Sequence, residues 1–242
     1  HDGLPRPVEE PVTRAVLHGE IDGLRTVFHA LPPGAVLQPS TSADEGRVFL
    51  FTSGCGRVED STAVFEIAEV AIYAPRHETP FTVTATASTL LLLELVVDLS
   101  ATDRAELEAN AARYPLFLSY SDCPTYRERI KSDKTVSRTL LAEHTFPRLC
   151  IGSVQTTGDD RVAEHQHPML EQLFFGLDDN HCILRADAAE MEFGEGVLLH
   201  IPLGSTHGVE VHAPHRLHYI WIDLFSDREG MEWIVQEHIE ES

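Results

Sequence analysis

Long apolar runs, paired cysteine motifs and basic residues are all scarce in this sequence. The leucine run from Leu90 to Leu93 is ended by Glu94, so no stretch of about 20 apolar residues is available to cross a bilayer as a helix. The 4 cysteines (Cys55, Cys123, Cys150, Cys182) form no CxxC pair and no dense framework. Nothing here requires a disulfide or a Cys-rich metal site, and the thiols read as reduced and mostly buried in a cytoplasmic protein. Only 18 Lys+Arg stand against 39 Asp+Glu, for a net charge of −21. Such a field repels a phosphate backbone and an anionic lipid surface alike, which argues against nucleic acid and membrane as partners. No Ser-His-Asp arrangement, phosphate loop or dinucleotide fingerprint occurs.

Ordinary globular composition is present, with 43% apolar and 24% charged residues. Segments such as Arg47–Phe51, Val70–Tyr73, Phe81–Thr86 and Leu90–Val97 are rich in β-branched, aromatic and leucine residues, so they are predicted strands. Gly54, Gly56, Pro75 and Pro80 punctuate them. Ser100 is a predicted N-cap for a helix over 101–113, stopped by Pro115, and 116–134 reads as an irregular, charged linker. Strand signals resume at Thr135 and run to Phe225. Ser226 then caps a final helix over 227–239, with Met231, Ile234, Val235 and His238 on one face. The expected domains are therefore 1–100, a helix and linker over 101–134, and 135–242.

The informative stretch is His165-Gln-His167-Pro-Met-Leu-Glu171. Strand alternation places residues of equal parity on one face, so His165, His167, Met169 and Glu171 are expected to point together. Two imidazoles and a carboxylate form a metal-ligand set. Gly196-Val-Leu-Leu-His-Ile-Pro202-Leu-Gly204-Ser-Thr-His207 follows, and Pro202 and Gly204 shape a turn that aims His207 toward the others. Met169, Leu173 and Phe175 share the ligands' parity and are expected to line the cavity. His181, His200, His212, His215 and His218 match no ligand position, although His200 could support one. Arg185, Arg216, Tyr219 and Asp223 are candidate polar groups for recognising a ligand.

Taken together, HxH, three residues, Glu, and then GxxxxxPxGxxH resembles the two sequence motifs of the cupin superfamily. The resemblance implies a mainly β, jelly-roll barrel in which His165, His167, Glu171 and His207 ligate one metal ion. The chain departs from the family pattern at Val211, where an Asn is often found. Placing Glu45 on Glu171 brings Pro75 close to Pro202, with Pro39, Thr41 and Pro80 at the other ligand positions, and both glutamates precede an aromatic-rich strand. Self-similarity at a long offset marks duplicated architecture. The expectation is thus a two-barrel cupin, or bicupin, whose N-terminal copy is degenerate and metal-free.

A divalent Fe, Mn, Ni, Co or Zn ion with these ligands would retain about two open positions if six-coordinate. Such a centre suits a small, chelating, carboxylate- or sugar-acid-like molecule. Cupins include dioxygenases, decarboxylases, isomerases, lyases, hydrolases and non-catalytic binders, so the resemblance implies fold and metal and leaves the reaction open. Open barrels leave strand edges that a second copy of the chain could cover, which makes a homo-oligomer an expectation as well.

Overall fold

The computed structural model describes residues 8–128, 130–227 and 229–232. Two compact units divide the chain between Cys123 and Pro124. In the first lie β1 (Val12–Val16), β2 (Leu24–Leu31), β3 (Val36–Leu37), β4 (Glu45–Ser53), β5 (Gly56–Asp60), β6 (Val64–Ile67), β7 (Ala71–Ala74), β8 (Phe81–Ala85), β9 (Leu90–Asp98), α1 (Ala101–Ala109) and β10 (Leu116–Ser119). The second holds β11 (Thr125–Tyr126), β12 (Val136–Phe146), β13 (Leu149–Thr157), β14 (Asp160–His165), β15 (Leu170–Gly176), β16 (His181–Ala186), β17 (Ala189–Gly194), β18 (Leu198–Ile201), β19 (His207–Val211) and β20 (Arg216–Phe225).

Each unit pairs a six-stranded with a four-stranded sheet. The orders are β1-β2-β9-β4-β7-β10 and β3-β8-β5-β6 in the first, β11-β12-β13-β20-β15-β18 and β14-β19-β16-β17 in the second. Apart from the short flanking strands β10 and β11, the two sets correspond strand for strand. The stretch 101–134, expected as helix and linker, is divided between the units. Its first part forms α1 and β10, and β10 pairs with β7. The remainder opens with β11, which pairs with β12. Of the expected terminal helix, Met231 is buried against Cys150, Leu170 and Phe225; Ile234, Val235 and His238 lie outside the described residues.

The local reasons for these elements are visible in the sequence. Ser100 accepts from the Asp103 backbone N–H while the Asp103 carboxylate accepts from the Ser100 N–H, a closed capping box that starts α1. β9 is apolar on both faces because both are covered. Its even positions Leu90 and Leu92 join Phe49, Phe51, Tyr73 and Phe81 in the barrel core, and Leu91 joins Phe28 and Ala30 outside it. Burial of each such leucine stabilises by about 1.5–3 kcal/mol.

Glu94 shares parity with Leu90 and Leu92, so it points into the first barrel, where it is 5% exposed. Its carboxylate is satisfied there by His29 Nε2 at 2.9 Å and by the Arg47 guanidinium. Arg47 also pairs with Glu45 at 2.6 Å, and Glu45 with Arg25 at 2.7 Å. Glu45, the residue placed on Glu171 by the repeat, is therefore held between two guanidinium groups. None of the four cysteines is bridged, and no helix among the described residues is long and apolar enough to cross a membrane.

Candidate metal centre

His165 ends β14 and His207 begins β19, and the two are directly opposed in the antiparallel register. His167 follows two residues later in the connection to β15. The three imidazoles each offer a ligand nitrogen within 4.8 Å of the others. Their ring centroids lie 4.5–5.4 Å apart. His167 and His207 are buried, at 5% and 2% exposure.

The loops aim these rings. Gly204 adopts φ +75°, a conformation that costs an L side chain, and its N–H donates to the His167 carbonyl at 3.1 Å. Asp187 accepts from Ser205 Oγ at 2.6 Å and from the Thr206 N–H at 3.0 Å, which braces the residues just before His207. Nδ1 of His165 lies 2.8 Å from the Ala163 carbonyl, and Nδ1 of His207 lies 3.0 Å from the Ser205 carbonyl. A carbonyl only accepts, so each Nδ1 carries the proton and each Nε2 carries the lone pair. That is the tautomer and the backing that a metal-ligating histidine needs, so the donor set fits a divalent ion.

Glu171 is not brought to this cluster, contrary to the parity expectation. Its Oε2 accepts from His200 Nε2 and from the Leu203 N–H, both at 2.9 Å. The cause is Pro168: β14 stops at His165, a turn occupies Pro168–Met169, and β15 restarts at Leu170 in the other sheet. The alternation does not carry across that break. In β15 the even residues Gln172 and Phe174 consequently line the cavity. Leu173 and Phe175, expected to line it, are buried on the opposite face, and Met169 packs beside Gly230. His200 does support a carboxylate, but the one that stands outside the imidazole cluster.

A cavity of about 160 Å³ adjoins His165 and His167, with mainly apolar walls. Gln172 stands on its wall with its Nε2 donating to Asp223 Oδ1 at 2.6 Å and its Oε1 without a hydrogen-bond partner. Asp223 is buried, and burial pushes its carboxyl up to about 7 against the pull of the Gln172 hydrogen bond. Tyr126, Glu128 and Lys131 reach the same cavity from the segment read as a linker. Lys131 bridges to Val162 of β14. Its ammonium lies 2.5 Å from Glu128 and 3.1 Å from Ser137 Oγ. Burial lowers the Lys131 pKa and Glu128 opposes that shift. Burial likewise holds the Tyr126 phenol well above its usual value, so it stays protonated.

Of the candidate recognition groups, Tyr219 and Asp223 line the cavity. Arg185 instead pairs with Glu190 and Glu210, and Arg216 with Asp179. Gln172 and the Tyr126–Lys131 segment are the residues that sequence reasoning missed. The first was signalled by Pro168 breaking the strand, the second by the period-two spacing of Tyr126, Glu128 and Ile130.

No established family profile matches the chain, and no curated protein sequence does. Solved structures do match. A cupin 2 conserved barrel domain protein from Leptotrichia buccalis superposes with a TM-score of 0.64 over 92% of each chain at 15% identity. A putative glyoxylate-induced protein from Pseudomonas aeruginosa gives 0.73 over 89% of this chain and 81% of that one, at 11% identity. Lactobacillus farciminis oxalate decarboxylase, solved as a formate complex, gives 0.68 over 97% and 88%, at 15% identity. With these likenesses beside the paired sheet orders, the fold is established: mainly β, with two cupin-type barrels in one chain.

Proposed function

We propose that His165, His167 and His207, completed by Oε1 of Gln172, hold one divalent transition-metal ion, and that the protein is an enzyme acting on a small polar molecule beside it. The observation that carries this reading is the convergence of three imidazole donors within 4.8 Å beside a mainly apolar cavity. Cys-rich closure, the habit of purely structural sites, is not part of this donor set. A bound Fe, Mn, Ni, Co or Zn ion would supply Lewis acidity, with redox chemistry in addition for iron or manganese.

The chain's own groups narrow the ligand. Three neutral imidazoles and a neutral amide leave the site's full double positive charge uncompensated by any protein ligand, which favours an anionic, chelating molecule. At about 160 Å³ the cavity suits a small molecule. Lys131, paired with Glu128, and the Tyr126 phenol are polar groups on the wall, and Phe174 and Trp221 are apolar ones. A small carboxylate or sugar-acid-like substrate meets these conditions, in a reaction of dioxygenase, lyase or isomerase type. The oxalate decarboxylase of the same fold, seen with formate, has a small-carboxylate chemistry in keeping with this.

Metal analysis of natively purified protein, paired with an anomalous-scattering map, tests the reading. About one equivalent of ion is expected, lost in His165→Ala and His207→Ala, with substrate-dependent oxygen uptake or proton release in the metallated protein. Failure to take up any of the five ions overturns the metal assignment. A fully metallated protein that turns over none of a panel of small carboxylates overturns the enzymatic one.

A further inference from the structure

Gln172 and Asp223 are register partners on β15 and β20. Both are 5% exposed. Nε2 of the amide donates to Oδ1 of the carboxylate at 2.6 Å, and the other end of the amide, Oε1, has no hydrogen-bond partner on the cavity wall it shares with His165 and His167. A side-chain amide has two unlike ends. Its oxygen can ligate a cation, but its nitrogen lone pair is delocalised and offers nothing, so an amide turned the wrong way is no ligand at all.

Resting on the metal reading above, we infer that Asp223 is the positioning residue for the fourth ligand. A carboxylate accepts and does not donate, so it takes the NH₂ end of Gln172 and fixes Oε1 toward the imidazoles. The partner of a metal ligand normally sets its orientation and basicity in this way, and removal of such a partner typically costs about 10–100-fold in metal affinity. The arrangement also explains why an amide occupies position 172. A glutamate there would face Asp223 across a buried 2.6 Å contact, two like charges in a dry wall. When Asp223 is ionised, the pair sets its negative charge one residue back from the ion, behind a neutral ligand.

The inference is tested with Co(II) as the probe, by chelator competition and by its visible absorption spectrum, which reports the number of donors. Asp223→Leu keeps bulk at the site but cannot accept; it should bind Co(II) about 10–100-fold more weakly and show a changed spectrum. The double variant Q172E/D223N reverses the hydrogen bond: the amide introduced on β20 donates to the carboxylate introduced on β15, whose second oxygen is left for the ion. It should recover affinity to within about threefold of the natural protein. A merely structural Asp223 would alter unfolding but neither the spectrum nor the rescue. Wild-type affinity and spectrum in D223L, with binding still lost in H207A, would overturn this inference alone; so would a double variant no better than D223L. Wild-type protein that takes up no Co(II) would overturn the metal reading and this inference with it.

Discussion

Glu171 and Gln172 are adjacent in the chain and face opposite sides of β15, so their substitutions should have unlike effects. Glu171 holds the 200–203 turn through two hydrogen bonds to one oxygen. Glu171→Gln should lower stability by about 1–3 kcal/mol, read from urea denaturation, with metal content unchanged by elemental analysis. Loss of the metal in that variant would restore Glu171 as a ligand. In the first barrel, the pH dependence centres on Glu94. Burial alone would raise its pKa, but the His29 hydrogen bond and the Arg47 charge outweigh burial and hold it below 4.5. A folded pKa lowered in this way stabilises above the unfolded value of about 4.3 and stops doing so as pH falls through the folded value. Glu94→Gln should therefore cost on the order of 3 kcal/mol at pH 7, because it leaves buried partners behind. It should also flatten the acid limb of stability below about pH 4.3, measured as urea midpoints across a pH series. An unchanged acid limb would remove Glu94 from that role.

At the scale of the element, the cavity wall depends on one close approach between strands. Gly152 of β13 sits opposite Trp221 of β20, and an added Cβ would meet the Trp221 ring at 2.2 Å and the Arg138 carbonyl at 2.7 Å. Gly152→Ala should cost about 1–3 kcal/mol in thermal or urea unfolding and displace Trp221 at the cavity. A crystal structure of the variant with an unmoved indole would contradict that. β4, β7, β8, β9 and the helix cap at Ser100 were legible in the sequence, because periodicity and capping are local signals. His165, His167 and His207 were legible for the same reason, since each belongs to a short motif. Gln172, proposed as the fourth ligand, was not, because the count from His167 runs through Pro168 and the strand's parity changes there. Tyr126, Glu128 and Lys131 were read as part of a linker because Pro124 and several charges make the stretch irregular. Only the pairing of 130–131 with β14 turns them inward.

At the scale of the molecule, one strand plan has been built twice with different interiors. The first barrel closes its polar residues on one another through Arg25, Glu45, Arg47 and Glu94. The second leaves a cavity beside three imidazoles. A ligand that binds only the folded state raises stability by RT ln(1 + [L]/Kd), about 2.7 kcal/mol at 100 times Kd. Metal supplied at that level should raise the calorimetric midpoint of the transition that unfolds the second barrel, and chelation should reverse it. The His207→Ala protein should show no such response. An identical shift in that variant would place the stabilising ion elsewhere.

The chain's 2 tryptophans, Trp221 and Trp233, both lie after Pro124. Trp221 forms part of the cavity wall. The second barrel thus carries its own indole fluorophore at the place where a substrate would arrive, and the first barrel has none. Emission excited at the red edge of indole absorption can therefore be used to follow occupancy of the cavity without a label, and Trp221→Phe is the control that assigns the signal to that wall.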